Sequence, residues 1–212
     1  MVAAGPGGAA GGPRLVLATH NPHKVAELRA ILAAADALGP LQVVGAGELN
    51  APSPTEDGVT FAANALLKAR ACAAATGLPA VADDSGLCVA AMGGAPGVFS
   101  ARWAGGHGDD AANLTLLLDQ LRDVREEDRG AWFECAAALV LPDGRERVET
   151  GRMPGRLARE PRGTGGFGYD PILIPDGHAA TSAELTPAQK NAISHRGKAF
   201  RALAPAIREL WR

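Results

Sequence analysis

A short apolar strand that passes at once into a capped helix constrains the fold of this chain more than any other feature. Residues 14–19 read RLVLAT, a run of strand-forming residues, and Asn21 and Pro22 are residue types that favour a helix N-terminus. Apolar residues then recur at helical spacing, which predicts an amphipathic helix over 22–36. A strand, a tight turn and a helix form the opening unit of an α/β protein.

The rest of the chain continues this mixture of strands and helices. The predicted helices span 60–76, 109–121 and the region from 186 towards the C-terminus, and the predicted strands span 41–44, 79–86, 131–141, 145–152 and 171–175. Pro142-Asp143-Gly144 is a hairpin turn signal between two of these strands. We therefore predict a mixed α/β protein in which residues 14–212 form a single domain, with room for two lobes around a cleft.

Composition excludes several classes of protein. The 21 Lys and Arg against 23 Asp and Glu leave a net charge of −2, which argues against generic nucleic-acid binding. No run of 18 apolar residues predicts a membrane span. Residues 1–13 are Gly/Ala/Pro filler, which predicts a disordered extension. Three cysteines without a CxxC pair are typical of free thiols in a reducing compartment, so we expect a cytoplasmic protein.

The first candidate site is the turn THNPHK, between the opening strand and helix. The free N–H groups of a helix N-terminus attract phosphate, and Lys24 adds a positive charge one turn in. The alternative is a capped helix that carries a surface lysine. Asn21, which can donate or accept hydrogen bonds, and Lys24 are the side chains proposed here to contact phosphate.

The second candidate is Asp83-Asp84-Ser85-Gly86, at the end of an apolar strand. Adjacent carboxylates repel each other and need a cation or hydrogen-bond donors for compensation. A carboxylate there can hold Mg²⁺ or activate a water molecule. The alternative is a solvated turn, and Ser85 lacks the GxSxG context of a nucleophile.

The third candidate is the glycine-rich stretch EPRGTGGFGYDP at 160–171. Its formal GxGxxG match has no strand before it and leads into a strand, so it is not a dinucleotide-binding turn. Phe167 and Tyr169, if exposed by the glycines, form a platform on which a base can stack. The alternative is a tight structural turn with buried rings.

The fourth candidate is the C-terminal set Lys190, His195, Arg196 and Lys198. Clustered donors there can bind a triphosphate or the oxygen edge of a base. The alternative is a solvated, charged helix face. A nucleoside triphosphate site needs hydrogen-bond donors for the phosphates, a carboxylate that binds a metal ion, an aromatic ring on which the base stacks, and donors for the oxygen edge of the base. The four candidates together supply these parts.

Six blocks of this sequence resemble the inosine/xanthosine triphosphate pyrophosphatase family. In chain order they read LATHNPHKVAELRAIL, EDGVTFAANALLKA, LPAVADDSGLCV, GGAPGVFSARWAG, EPRGTGGFGYDP and LTPAQKNAISHRGKA. The resemblance implies an elongated α/β fold with the site between two lobes, homodimers, and a Mg²⁺-dependent cleavage between the α and β phosphorus atoms. The implied substrates are ITP, dITP and XTP, purines in which a 6-oxo group replaces the 6-amino group.

The resemblance also assigns roles to individual residues. It implies that Asp84 is the catalytic carboxylate and binds Mg²⁺, with Glu56 assisting at the metal. Ser85 is expected to contact the substrate. The resemblance also implies that the first turn holds the triphosphate through Thr19, His20, Asn21, Pro22, His23 and Lys24. The other substrate-binding residues implied are Phe167, Gly168, Tyr169, Asp170, Lys190, His195 and Arg196.

Hydrogen-bond chemistry accounts for the implied choice of base. A 6-oxo group accepts a hydrogen bond and adenine's 6-amino group donates one, so donors such as a protonated histidine or an arginine favour the former. Two alternatives stay open: a Maf-like pyrophosphatase for modified pyrimidines or 7-methylguanine, and a nucleotide-binding regulator without hydrolytic activity. The FGYD and SHR blocks argue against the first, and the presence of both Asp84 and Lys24 argues against the second.

Overall fold

The computed structural model describes residues 13–20 and 22–210, without the side chains of residues 22 and 23. Asn21 and all but the last residue of the predicted disordered extension 1–13 lie outside the described residues. The strands are β1 (Arg14–Leu17), β2 (Gln42–Gly45), β3 (Ala80–Val89), β4 (Gly130–Val140), β5 (Glu146–Leu157) and β6 (Leu173–Pro175). The helices are α1 (Pro22–Ala34), α2 (Phe61–Thr76), α3 (Asp110–Gln120), α4 (Pro187–Ile193) and α5 (His195–Arg208). No helix in the described part of the chain is long and apolar enough to cross a membrane.

The six strands form one mixed sheet in the order β2-β1-β3-β4-β5-β6. β1 runs parallel to both β2 and β3, and the remaining pairs are antiparallel. The chain leaves β1 to one side through α1 and returns to its other side through α2. The carboxyl end of β1 is therefore a switch point, where open α/β sheets bind their ligands.

β3 is longer than predicted. The sequence predicted a short strand that runs into the two acids and a turn, with residues 87–91 extended after that turn. The structure has no turn there, and β3 runs without a break to Val89 and pairs with β4 along its whole length. Its partner β1 reaches only as far as Val81. The part of β3 that carries Asp83, Asp84 and Ser85 therefore lies beyond the carboxyl end of β1, and we call this segment the β3 edge.

The predicted hairpin of β4 and β5 is confirmed, with Pro142-Asp143-Gly144 in the turn. β5 runs five residues past its predicted end, through Pro154 and Gly155, which in a sequence resemble turn residues. At Gly155 a Cβ atom would lie 2.2 Å from the Ile174 carbonyl oxygen. Glycine is therefore required there by the close approach of β6.

Three hydrophobic cores cover the two faces of the sheet. On one face, Val81 of β3 belongs to a core with α1 and α5, whereas Leu87 and Val89 belong to a core with α3. These residues share one face because strand side chains alternate. The other face packs its alanines, among them Ala82, against α2. The first face thus carries two lobes, and Asp83 and Ser85 lie between them.

The predicted helical C-terminus is two helices. Thr186 and Gln189 form the predicted capping box of α4. Ser194 is extended and its hydroxyl accepts a hydrogen bond from the Gly197 N–H, so it ends α4 and caps α5. This break places His195 and Arg196 in the first turn of α5, directed at the sheet.

Candidate active site

Asp83 and Ser85 lie on the α5 face of the sheet, where Arg196 binds both. Arg196 Nε donates to Asp83 Oδ2 at 3.0 Å and Nη2 donates to Ser85 Oγ at 3.1 Å, while Nη1 lies 3.2 Å from a carboxylate oxygen of Glu27. Arg196 is 3% exposed, so the alternative of a solvated helix face is wrong for this residue. Arg196 holds Ser85 and Glu27 in fixed positions at the cleft.

The charges around Asp83 keep it ionised although it is buried. Burial alone would raise the pKa of Asp83, but the charges of Lys24, Arg196 and Lys68 outweigh it and hold the pKa below its ordinary value of 3.8. Burial lowers the pKa of Arg196, but the carboxylates of Asp83 and Glu27 raise it by more, so the net shift is upward. The pair is therefore a permanent ion pair inside the protein.

Asp84 points to the opposite face, towards α2. Lys68 Nζ lies 3.3 Å from Asp84 Oδ1 and 3.1 Å from Glu56 Oε1, so one ammonium group bridges the two carboxylates. Asn64 Nδ2 donates to Asp84 Oδ2 at 3.1 Å. We call Glu56, Asp84 and Lys68 the carboxylate–lysine cluster.

Asn64 connects the two parts of the chain that supply these carboxylates. Its Oδ1 accepts a hydrogen bond of 2.8 Å from the Gly58 N–H, two residues after Glu56, while its amide nitrogen binds Asp84. A Cβ atom on Gly58 would lie 2.5 Å from Asn64 Oδ1. Glycine at this position therefore allows the Glu56 loop to approach α2.

Asp84 has the electrostatic character of a general base. Burial and the charge of Glu56 raise the pKa of Asp84, and Lys68 and the Asn64 hydrogen bond offset this only in part. The pKa of Lys68 is raised as well: its burial lowers the pKa, but Asp84, Asp83 and Glu56 outweigh that effect. A carboxylate whose pKa is shifted towards neutrality binds a proton more readily than an ordinary aspartate.

The donor set of the cluster fits Mg²⁺. Glu56 and Asp84 direct oxygen atoms at one cationic group, the Lys68 ammonium, which stands where a shared cation would be attracted. Mg²⁺ is commonly bound by one or two carboxylates together with water and substrate phosphates. Among the described residues no group of three or more His, Cys, Asp and Glu side chains is suited to a metal ion, so water and substrate phosphates would have to complete the coordination of a cation held by Glu56 and Asp84.

A cavity of about 240 Å³ lies on the α5 face, between the two lobes. Lys24 and Glu27 of α1 line it from one lobe, and Ser100 and Asp110 line it from the other. Its further lining includes the following predicted site residues: Ser85, Phe167, Gly168, Tyr169, Asp170, Lys190, His195 and Arg196. The structure thus brings the second, third and fourth candidate regions together with Lys24.

The two aromatic residues of the glycine-rich stretch differ in exposure. Phe167 is 55% exposed, with Lys190 Nζ 5.5 Å and the Arg196 guanidinium 5.8 Å from its ring centre. Tyr169 is buried and its hydroxyl donates to the Ser100 carbonyl. The prediction of an exposed platform is therefore wrong for Tyr169, which packs in the α3 core, and only Phe167 presents a ring.

Two carboxylates fix the backbone around Phe167. Asp170, itself buried, accepts a hydrogen bond of 2.9 Å from the Phe167 N–H and pairs with Lys190. Asp110 accepts one of 2.8 Å from the Gly168 N–H. The backbone that carries the exposed ring is thus held at two consecutive residues, Phe167 and Gly168.

The surroundings of His195 favour its neutral form. Burial, together with the charges of Arg196 and Lys190, lowers the pKa of His195 well below 6.5, and its ring stacks on Phe133 with centroids 4.9 Å apart. These surroundings do not favour a protonated histidine as the group that binds the base. His195 lines the cavity, and its buried Nδ1 has no hydrogen-bond partner among the described residues.

The turn after β1 is only partly brought to the cavity. Lys24 lines the cavity, whereas the His20 ring is hydrogen-bonded to the Ala51 carbonyl at 3.0 Å. Thr19 is half-buried directly after β1. Asn21 and the side chains of Pro22 and His23 lie outside the described part, so their predicted phosphate contacts remain predictions.

Several residues that line or order the candidate site were not predicted from the sequence. Lys68 and Asn64 escaped it although their spacing of four residues puts them on one helix face, beside the Glu56 motif. Glu27, three residues after Lys24 on α1, had the same kind of signal. No sequence pattern pointed to Asp110, because its hydrogen-bond partner Gly168 is 58 residues away in sequence.

The fold and the site together define a mixed α/β protein that places acidic and cationic groups beyond the carboxyl ends of its strands, the usual position of a ligand site in this class. Residues 15–206 match the model of the Ham1 family. The chain belongs to the Ham1 family.

Named relatives agree with this assignment. The dITP/XTP pyrophosphatase of Streptomyces coelicolor is 66% identical over 198 residues, which cover 93% of this chain and 98% of the relative. That of Leifsonia xyli is 58% identical over 199 residues, with 94% and 98% covered. Among solved structures, a HAM1 protein from Coxiella burnetii superposes with a TM-score of 0.84 at 43% identity, covering 93% of this chain and 99% of the other.

Proposed function

We propose that this protein hydrolyses the deaminated purine nucleotides ITP, dITP and XTP to the monophosphate and pyrophosphate, with Mg²⁺ as cofactor. The observation that carries the proposal is the β3 edge, where Asp84 faces Glu56 on one side of the sheet and Ser85 lines the cavity on the other. A ligand that passes around this edge can place a base in the cavity and its phosphates at the carboxylates. The names of the relatives from Streptomyces coelicolor and Leifsonia xyli support the substrate class.

The cavity suits the base and sugar of the nucleotide. At about 240 Å³ it is smaller than the roughly 300–1,000 Å³ of typical ligand pockets, so the phosphates would extend beyond it. The exposed Phe167 ring is available for stacking against a base. The unpartnered His195 Nδ1 is a polar atom that a bound base can satisfy.

Lys24 and Ser85 are placed to receive the phosphates. Lys24 lies near the start of α1, where backbone N–H groups also attract anions. Ser85 has its hydroxyl held by Arg196, which fixes its orientation towards the cleft. Together these groups would bind the triphosphate between the cavity and Asp84.

Glu56 and Asp84 would hold Mg²⁺. When bound, Mg²⁺ would neutralise charge on the phosphates and so favour cleavage of the anhydride. Asp84, with its raised pKa, is suited to orient a water molecule and accept its proton. Lys24 would balance the negative charge of the pyrophosphate as it leaves.

Preference for a 6-oxo purine follows from the donors at the cavity. A neutral histidine still carries one N–H, and a 6-oxo group accepts from it while adenine's 6-amino group does not. An unpaired buried donor costs roughly 1–3 kcal/mol per lost hydrogen bond. This difference would make ATP a poor substrate.

The test is pyrophosphate release from ITP, XTP, dITP, GTP, ATP and dUTP, each with and without Mg²⁺. We expect pyrophosphate from the first three, only with Mg²⁺, and little from ATP. Orthophosphate as the first product would contradict the choice of bond. Preferential turnover of dUTP would favour a pyrimidine enzyme, and tight binding without turnover would favour a regulator.

Two further features belong to the same proposal. The three cysteines are free and buried, which supports a protein of the cytoplasm, where nucleotide pools are used.

Val59, 88% exposed, and Phe99, 51% exposed, line one groove beside α2. Exposed apolar surface of this kind supports a homodimer interface.

A further inference from the structure

The carboxylate–lysine cluster holds its own counter-ion. Lys68 Nζ lies within 3.3 Å of oxygens from both Glu56 and Asp84, and the side chains of Lys68 and Asp84 are each only 14% exposed. The ammonium group occupies the position of closest approach to both carboxylates. A divalent cation drawn to the same two oxygens has to compete with it.

We propose that Lys68 is a positioning residue that suppresses binding of free Mg²⁺ and so couples loading of the metal to arrival of the triphosphate. This inference rests on the proposed function, because it takes Glu56 and Asp84 as the metal ligands. Lys68 lies on α2, and the family resemblance assigned it no role.

The charges of the cluster carry the argument. Two carboxylates and one ammonium group leave a local charge of −1 where the carboxylates alone would present −2 to a cation. A unit charge about 4 Å away changes a binding constant by more than tenfold even at the effective dielectric constant of a protein surface. The negative charge of a triphosphate can pair with Lys68 in place of the carboxylates, and its oxygens can bind the cation. The arrival of a triphosphate therefore removes the competition between Lys68 and the cation.

The rigid surroundings of the cluster make this competition effective. Asn64 holds Asp84 Oδ2 and, through the Gly58 N–H, the loop that carries Glu56. The carboxylates therefore cannot separate freely to admit a cation beside the lysine.

The test measures Mn²⁺ binding to the nucleotide-free protein by calorimetry, with Mn²⁺ as a probe for Mg²⁺. We expect Lys68→Met to bind Mn²⁺ at least roughly tenfold more tightly than the unmodified chain, and Lys68→Arg, which keeps the charge, to bind it weakly. Lys68→Gln is a second neutral variant in case the Met variant does not fold. Arg70→Met is the matched control, because it removes a positive charge from α2 in an exposed pair with Glu146.

Each outcome decides between the two proposals. Equal or weaker Mn²⁺ binding by both neutral Lys68 variants, in proteins that bind Mn²⁺, overturns the role of Lys68 and leaves the metal site intact. Absence of Mn²⁺ binding from every protein, including Lys68→Met, overturns the metal site as well. Tighter binding by Arg70→Met to the same extent would show a general charge effect and also overturn the proposal.

Discussion

Asp83 and Asp84 are neighbours in sequence, but they lie in different electrostatic surroundings. The cations Lys24 and Arg196 hold the pKa of Asp83 below its ordinary value, whereas burial and Glu56 raise that of Asp84. Two carboxyl groups whose pKa values are driven apart have different roles. Asp83 orders Arg196, and Asp84 takes up a proton more readily than Asp83 does.

Replacement of Asp84 by asparagine tests its catalytic role. We expect Asp84→Asn to lower kcat by about 10²–10⁴-fold, the usual contribution of a general base, while nucleotide affinity is largely kept. Pyrophosphate release and nucleotide binding are measured on the same preparation. Asp119→Asn, in an exposed pair with Arg122, is the control. A rate like that of the unmodified chain would remove Asp84 from this role.

The acid limb of the pH–rate profile follows from the same residue. In the metal-free protein Asp84 takes up a proton as the pH falls through its raised pKa, and a protonated carboxyl group binds cations poorly. At a fixed Mg²⁺ concentration below saturation, kcat/KM should therefore decline at pH values above the ordinary 3.8. The residual activity of Asp84→Asn should lack this limb. A profile that stays flat down to pH 3.8 would contradict the raised pKa.

At the scale of single residues, the sequence predicted the two aspartates as site residues but not which basic side chains pair with them. Gly86 suggested a turn after Asp84, and a turn gives no reason to place neighbouring side chains on opposite faces. Once β3 is known to continue to Val89, alternation alone separates Asp83 from Asp84. The lysine between the carboxylates comes from a helix packed on the sheet, which local pattern does not position.

Among the elements, α2 and the loop before it depend on one close contact. Gly58 approaches Asn64 so closely that an added methyl group would collide with its amide oxygen at 2.5 Å. The loop that carries Glu56 is therefore fitted to α2 rather than attached loosely.

Replacement of Gly58 by alanine tests this fit. We expect Gly58→Ala to displace the Glu56 loop and to lower kcat/KM by roughly tenfold or more, since small misplacements of catalytic groups are costly. Gly106→Ala is the matched control, because a Cβ there meets no atom within 4 Å. Equal kinetics in the two variants would contradict the role given to this contact.

Elements with strong local signals were predicted well. The unit of β1 and α1 has a run of strand-forming residues and then apolar residues at helical spacing, and the hairpin of β4 and β5 has its turn, so both follow from nearby residues. The extension of β5 through Pro154 and Gly155 does not, because long-range pairing with β4 and β6 overrides the preference of these residues for turns. The division of the C-terminus depends on Ser194, a single capping residue.

At the scale of the whole molecule, the sheet order sets the position of the site. The switch at β1 exposes the β3 edge, and the α1–α5 and α3 lobes stand on either side of it. The cavity lies on one face of the sheet and the carboxylate–lysine cluster on the other. This two-sided arrangement was not predictable from the sequence, since it depends on where β1 ends relative to β3.

The proposed homodimer is tested at its exposed groove. We expect Val59→Asp to shift the protein from dimer to monomer in light scattering coupled to size-exclusion chromatography, because a charge replaces an 88% exposed apolar side chain. Thr115→Asp, on the outer surface of α3, is the control. A Val59→Asp protein that stays dimeric would place the interface elsewhere.

The most direct measurement is a crystal structure of Asp84→Asn with ITP and Mg²⁺. We expect hypoxanthine against Phe167 in the cavity between the lobes, and the linkage between the α and β phosphorus atoms beside residue 84 at the β3 edge. A nucleotide bound with its phosphates remote from residue 84 would contradict the account.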